Sequence, residues 1–325
     1  MSTSSDWSLS PLSWIKTWYN ERQLEKKLVE HVVETVDPKI RLASGYRSQL
    51  LEPIEVCLQH SESMVASIPG PIYLNPSDYD ADPLIHAAFI GSPVSLKELI
   101  EKQDSTLISP ESAEHEMFAL LTMSKRETTV FGPKLQGDVL IQDAQMQSVT
   151  FSDHKLVSLA TSLESSREQL THFCFEMILE SISSEIAAKR TDIGELHEHL
   201  KRLQAMSNIF SGDNHAKTFF GHVTPSDPEK LLKVEKMLKE TKDELSQERK
   251  GYETPEDWLN CLIELLRHPE NMMNVHVKSL RLDWKNVITE SSAEKANVIT
   301  LAQCSLADEG QRNATLICYP KPNKK

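Results

Sequence analysis

A chain of 325 residues with 39% hydrophobic, 26% charged and 6% aromatic side chains has apolar material for a folded core, and its composition excludes general disorder. Forty-eight acidic residues against 35 basic give a formal net charge of -13, a field that repels a phosphate backbone and excludes nucleic acid as the expected partner. The five cysteines (Cys57, Cys174, Cys261, Cys304 and Cys318) are odd in number and form no CxxC pair, which fits reduced thiols in a cytoplasmic protein rather than a disulfide framework.

Met1 to Ser10 has no basic, then apolar, succession, so no secretory signal is expected, and no stretch approaches the ~18 apolar residues of a membrane span. Trp7, Trp14, Trp18 and Tyr19 crowd the first twenty residues of an aromatic-poor chain. Trp14 and Trp18 lie one helical turn apart and share a face, which makes them the partner-binding candidates if that face does not pack on the protein's own body. Binding to a membrane surface is the alternative, and it is disfavoured. Glu21, Glu25 and Glu30 interleave with Lys16, Arg22, Lys26 and Lys27 and cancel most of the attraction to anionic lipid.

Six pairs place a short polar residue before proline: Ser10-Pro11, Asp37-Pro38, Asp82-Pro83, Ser109-Pro110, Asp227-Pro228 and Thr254-Pro255. Each offers a side-chain acceptor at the N-cap and a preset φ at the first helical position, so each predicts a helix start. The run Asp78-Tyr79-Asp80-Ala81-Asp82 begins like a calcium loop, but Pro83 and Phe89 stand where the glycine and the bidentate glutamate belong. Asp82 therefore reads as a cap. In the helix that follows, Ala87 and Ala88 permit close packing and His86 is expected to be a hydrogen-bonded core histidine. A second helix runs through Leu96, Leu99 and Ile100. His115-Glu116-Met117-Phe118-Ala119 starts like a zinc-binding helix, yet Ala119 replaces the second histidine that must sit one turn away.

Thr128 to Phe151 reads as strand, with Gly132-Pro133 and Gly137-Asp138 as turns. After Ser158 comes the longest periodic stretch. Phe175, Ile178, Ile182, Ile186, Ile193, Leu196, Leu200 and Leu203 fall on alternating steps of three and four, with Lys189 the one polar occupant of the stripe. Leu231, Val234, Leu238, Thr241 and Leu245 repeat the step, and the polar segment between them can reverse the chain. The expected result is an antiparallel helical hairpin whose first arm either reaches about 70 Å or breaks near Thr191 to Gly194. His197 and His199 flank Glu198 two residues apart, roughly 200° around the helix, so they cannot chelate one ion.

Thr254 and Asp257 approximate a capping box for a helix through Trp258, Leu262 and Leu266. Val275 and Val277, then Leu280, Leu282 and Trp284, alternate with polar residues, and the change of phase at Ser279 predicts a bulge. Val298 to Leu306 and Ala314 to Tyr319 complete a meander.

These elements predict an α+β fold, predominantly α-helical, with an antiparallel sheet built from a central and a C-terminal strand region and a long antiparallel helical hairpin inserted between them. The corresponding organisation is an N-terminal helical region (1–126), a β region (127–155), the coiled-coil-like hairpin (156–250), and a helix plus β meander completing the sheet (251–325). The dispersed glycines form neither GxGxxG nor GK[ST], and GxSxG is absent, so no cofactor, metal or catalytic residue is assigned. The expectation is a non-enzymatic interaction or scaffold protein that binds a protein partner or itself through the hairpin. Two alternatives stand beside it: a peripheral membrane protein acting through the tryptophan-bearing helix, and an enzyme with a cleft between the N-terminal helices and the sheet. Such a cleft would draw on Asp80, His86, His115 and Glu116 for acid/base chemistry.

Overall fold

A computed structural model describes residues 21–74, 81–90, 92, 95–107, 116–136, 139–210, 228–289, 296–307 and 310–320. In chain order the described residues form α1 (Glu21–Val36), α2 (Tyr46–Ser67), β1 (Ile72–Tyr73), α3 (Pro83–Phe89), α4 (Leu96–Leu107), β2 (Glu116–Gln136), β3 (Val139–Ala160), α5 (Leu163–Phe210), α6 (Pro228–Glu248), α7 (Pro255–Arg267), β4 (Met273–Leu282), β5 (Asn297–Leu306) and β6 (Gly310–Pro320). The fold is α+β, with the helical hairpin α5–α6 lying in sequence between β3 and β4. Backbone contacts divide the described chain into two compact units, residues 55–178 with 268–325 and residues 21–54 with 179–267.

The first unit is built on a sheet in the order β3-β2-β6-β5-β4, antiparallel throughout, to which β1 adds a short parallel pairing with β6. Met117, Ala119, Leu121 and Met123 of β2 face a core shared with Ile317, Tyr319, Ile299, Leu301 and the buried faces of α3 and α4. Alternate residues Phe118, Leu120, Ala302, Ala314, Leu316 and Cys318 are buried on the opposite face. Both faces of the central strands are thus covered, which gives an unbroken apolar run instead of alternation. That is why β2 begins at Glu116, twelve residues before the strand signal read from Thr128.

Further along, beyond the β6 pairing, β2 pairs only with β3, out to Gln136 and Val139. Gly132-Pro133 marks a register shift within the ribbon and not the turn expected there. The predicted bulge at Ser279 is likewise absent, since β4 pairs with β5 in unbroken register from Met273 to Leu282. The phase change has another cause: Val275 and Val277 sit on one face of β4, while Leu280 and Leu282 turn toward the core.

The segment after β4 joins the two ends of the strand order. Ile288 bridges to Leu282 of β4 and its N–H donates to Gln147 of β3, while Asn286 accepts from the N–H of Val149. Within this curve, the C-terminal carbonyls of α3 are satisfied by side chains from the sheet: Asn286 Nδ2 donates to Ala87 at 2.7 Å and His154 Nε2 donates to Ala88 at 2.8 Å. Asp82 caps the other end, accepting from the N–H groups of Leu84 and Ile85. Gly70, at φ +109°, brings its backbone so close to β6 that a Cβ would lie 2.4 Å from the Leu316 carbonyl oxygen.

α5 is one unbroken helix of 48 residues, about 70 Å at 1.5 Å per residue; its residues 163–178 belong to the first unit and 179–210 to the second, where it continues through Thr191 to Gly194 without the break. Between residues 191–208 and 229–248 the buried side chains are Leu203, Val234, Thr241 and Leu245, with Ile193, Leu196, Leu200, Leu231 and Leu238 half-buried along the same line. This is the narrow seam that the three-four spacing requires of two antiparallel helices. Two of the predicted caps close here. Asp37 caps a short 3-10 turn, accepting from Lys39, and Thr254 and Asp257 bond reciprocally at the start of α7. The Thr254 N–H and hydroxyl hold the Asp257 carboxyl below the usual carboxylate range.

Candidate functional site

A cluster of polar and aromatic contacts gathers at the base of the hairpin, within the second unit. Arg190, on the α5 flank beside the seam, donates through Nη1 to Oδ1 of Asp37 at 3.1 Å and through Nη2 to Oδ2 of the same carboxylate. Asp37 is only 5% exposed, so its charge needs this fork-to-fork partner in addition to the Lys39 N–H it caps. The guanidinium carbon also lies 4.5 Å from the centre of the Trp258 ring, which in turn meets Tyr252 at 5.0 Å between centroids. One cation therefore locks the turn after α1, the middle of α5 and the first turns of α7 together.

Lys189, the polar interruption of the apolar stripe, has its reason here. Its Nζ donates to the Tyr252 hydroxyl at 3.1 Å, and this bond raises the lysine above its ordinary pKa. Ile193, one turn further on, lines the same cleft as Tyr252.

Two hollows open on either side of α5 at this level. A cleft of about 450 Å³ is floored by Tyr252 and Trp258 and edged by Lys39, Arg190 and Arg249, with Glu253 as its one acidic side chain. A wider groove of about 1090 Å³ is lined by Asp192, Glu195, Glu198, Glu244 and Glu248, against a single Arg202. Gly194 and His197 border both. Helical geometry makes the separation: residues 190, 193 and 197 follow one flank of α5, while 192, 195 and 199 follow another.

The candidates named from the sequence are differently placed. Trp14, Trp18, Asp80 and His115 lie outside the described residues. His86 is exposed on α3, not the core histidine expected, because the buried positions of that helix fall to Leu84, Ile85, Ala87 and Ala88. Glu116 is exposed at the start of β2, and its partner is the Cys318 thiol, which donates at 3.6 Å. Among the described residues no hydrogen bond or ion pair joins His86 to Glu116, and the faces of α3 and α4 turned to the sheet are filled by core side chains. Among the described residues no group of three His, Cys, Asp or Glu side chains is arranged to hold a metal ion, and no helix is long and apolar enough to cross a membrane.

Sequence reasoning missed the base of the hairpin as a site because Asp37 and Arg190 are 153 residues apart and carry no shared local spacing. The usable signals were the Asp37-Pro38 cap and the lysine interrupting the stripe. Comparisons of the chain with protein-family models, curated proteins and solved structures gave no match.

Proposed function

We propose that this protein is a non-enzymatic interaction protein whose binding element is the α5–α6 hairpin. The observation that carries the reading is the burial pattern of the arm. Of residues 191–208 and 229–248 only Leu203, Val234, Thr241 and Leu245 are buried, so the two helices occupy each other along one line and leave their other faces to solvent. Met206, Leu232 and Met237 stand exposed there, at 43%, 70% and 45%. A pair of long helices with apolar side chains on its outer faces supports contact with other chains better than it supports a core.

Amine-reactive cross-linking in the native host, read by mass spectrometry, tests this. Inter-chain links are expected to concentrate on Lys201, Lys233, Lys236, Lys239 and Lys242, and to fall away in a Leu232→Asp/Met237→Asp variant whose circular dichroism is unchanged. Inter-chain links that avoid the arm, or that survive the double substitution, overturn the reading.

A further inference from the structure

The hollows flanking α5 are opposite in charge and lie side by side. On the cleft side Lys39 and Arg249 are exposed, and neither side chain has an ion-pair partner among the described residues. On the groove side Asp192, Glu195, Glu244 and Glu248 are exposed and equally without a cationic partner. Glu248 and Arg249 are consecutive, so the border between the two signs runs across the end of α6.

We propose that the occupant of these hollows is a second copy of this chain, docked about a two-fold axis so that the basic cleft of each copy meets the acidic groove of the other. In a two-fold contact, any patch that meets a second patch on the partner is matched by the reverse contact, so two adjacent patches of opposite sign pair twice over. Each copy then neutralises charge the other leaves unpaired, and the aromatic floor of the cleft is covered at the same time. The net charge of -13 on each copy opposes approach at long range, but beyond about 8 Å it is screened at physiological salt, which leaves the local pairing to decide. The inference rests on the hairpin being the binding element and names its partner.

Light scattering of the full chain, combined with charge reversal, tests the pairing. Unmodified protein is expected at twice 36.8 kDa at physiological salt, shifting toward the single-chain mass as salt rises further and screens the local pairs. Lys39→Glu/Arg249→Glu and Glu244→Lys/Glu248→Lys are each expected to weaken association roughly tenfold or more. All four positions are exposed, so circular dichroism should not change. An equimolar mixture of the two variants should recover the double mass, since each acidic surface then meets a basic one. A single-chain mass at every concentration, a dimer indifferent to both variants, or a mixture that fails to recover would each overturn the proposal. Should arm lysines still cross-link to a different protein in the first two cases, the hairpin remains the binding element and only the identity of its partner falls.

Discussion

His154 and Ala88 are 66 positions apart in sequence, yet the imidazole Nε2 of the first stands 2.8 Å from the carbonyl oxygen of the second. A carbonyl can only accept, so Nε2 carries the proton. The ring also stacks on Phe89, with centroids 4.3 Å apart. Burial holds His154 below the ordinary histidine pKa, against the opposing pull of the Ala88 bond and of Asp153.

That arrangement predicts a pH dependence with a definite sign. In the unfolded chain His154 titrates near 6.5, whereas the folded chain keeps it neutral to lower pH, so below about 6.5 the unfolded state binds more protons. Stability is therefore fully present above that pH and declines as pH falls through it. His154→Gln can still donate to Ala88 but does not titrate. Urea midpoints across this range should show a flatter profile for the variant, which is less stable at neutral pH by about 1 kcal/mol through loss of the stack. Parallel profiles for the two proteins would contradict the assignment.

The Arg190–Asp37 pair gives a second prediction. Removing the guanidinium strands a nearly buried carboxylate, so Arg190→Met should cost about 2 to 4 kcal/mol in denaturant unfolding. Arg190→Lys should recover only part of this, because an ammonium cannot make the two parallel bonds or lie flat over Trp258. In the double variant Arg190→Met/Asp37→Asn the loss should be smaller than the sum of the single losses, which a double-mutant cycle measures directly.

Gly70 and Gly194 should respond to alanine in opposite directions. At Gly70 the φ of +109° and the Leu316 carbonyl 2.4 Å from the added carbon both oppose the change, and a loss of about 3 kcal/mol or more is expected. At Gly194 nothing lies within 4 Å, and the residue is inside α5, so alanine should stabilise by about 0.5 to 1 kcal/mol. Thermal melts of the two variants settle both signs.

Thiol reactivity should sort the cysteines by burial. Cys57, Cys174 and Cys318 are pushed up to about 12 and Cys304 to about 11, so almost no thiolate is present at neutral pH. Cys261 is also raised by burial, but it is only half-buried and the nearby Lys189 charge pulls it back down. Alkylation of the native protein followed by mass spectrometry should modify Cys261 first, the half-buried Cys304 more slowly, and the three buried cysteines at the rate of unfolding.

Legibility followed the range of the interaction. Asp82-Pro83 and Thr254-Pro255 predicted helix starts because a cap is complete within four residues, and the α5–α6 seam showed because its period is carried by the helix itself. The N-terminal half of β2 escaped because Met117 to Met123 is buried on both faces, which erases the alternation that marks a strand. At β4 the alternation was visible but its meaning was not: a change of buried face and a bulge leave the same trace in sequence. His154, Asn286, Asp37 and Arg190 act on partners many tens of residues away, and only the folded chain places them.

The short stretch from Asn286 to Ile288 works as a buckle. Sheet proteins ordinarily must guard two raw borders against stray chains, and here three residues tie a short stretch of each, Gln147 to Val149 on one side and Leu282 on the other. A single proteolytic nick in that stretch would leave the remaining pairings of the sheet intact while unfastening the strap, so clumping, rather than unfolding, would be the first symptom of damage there.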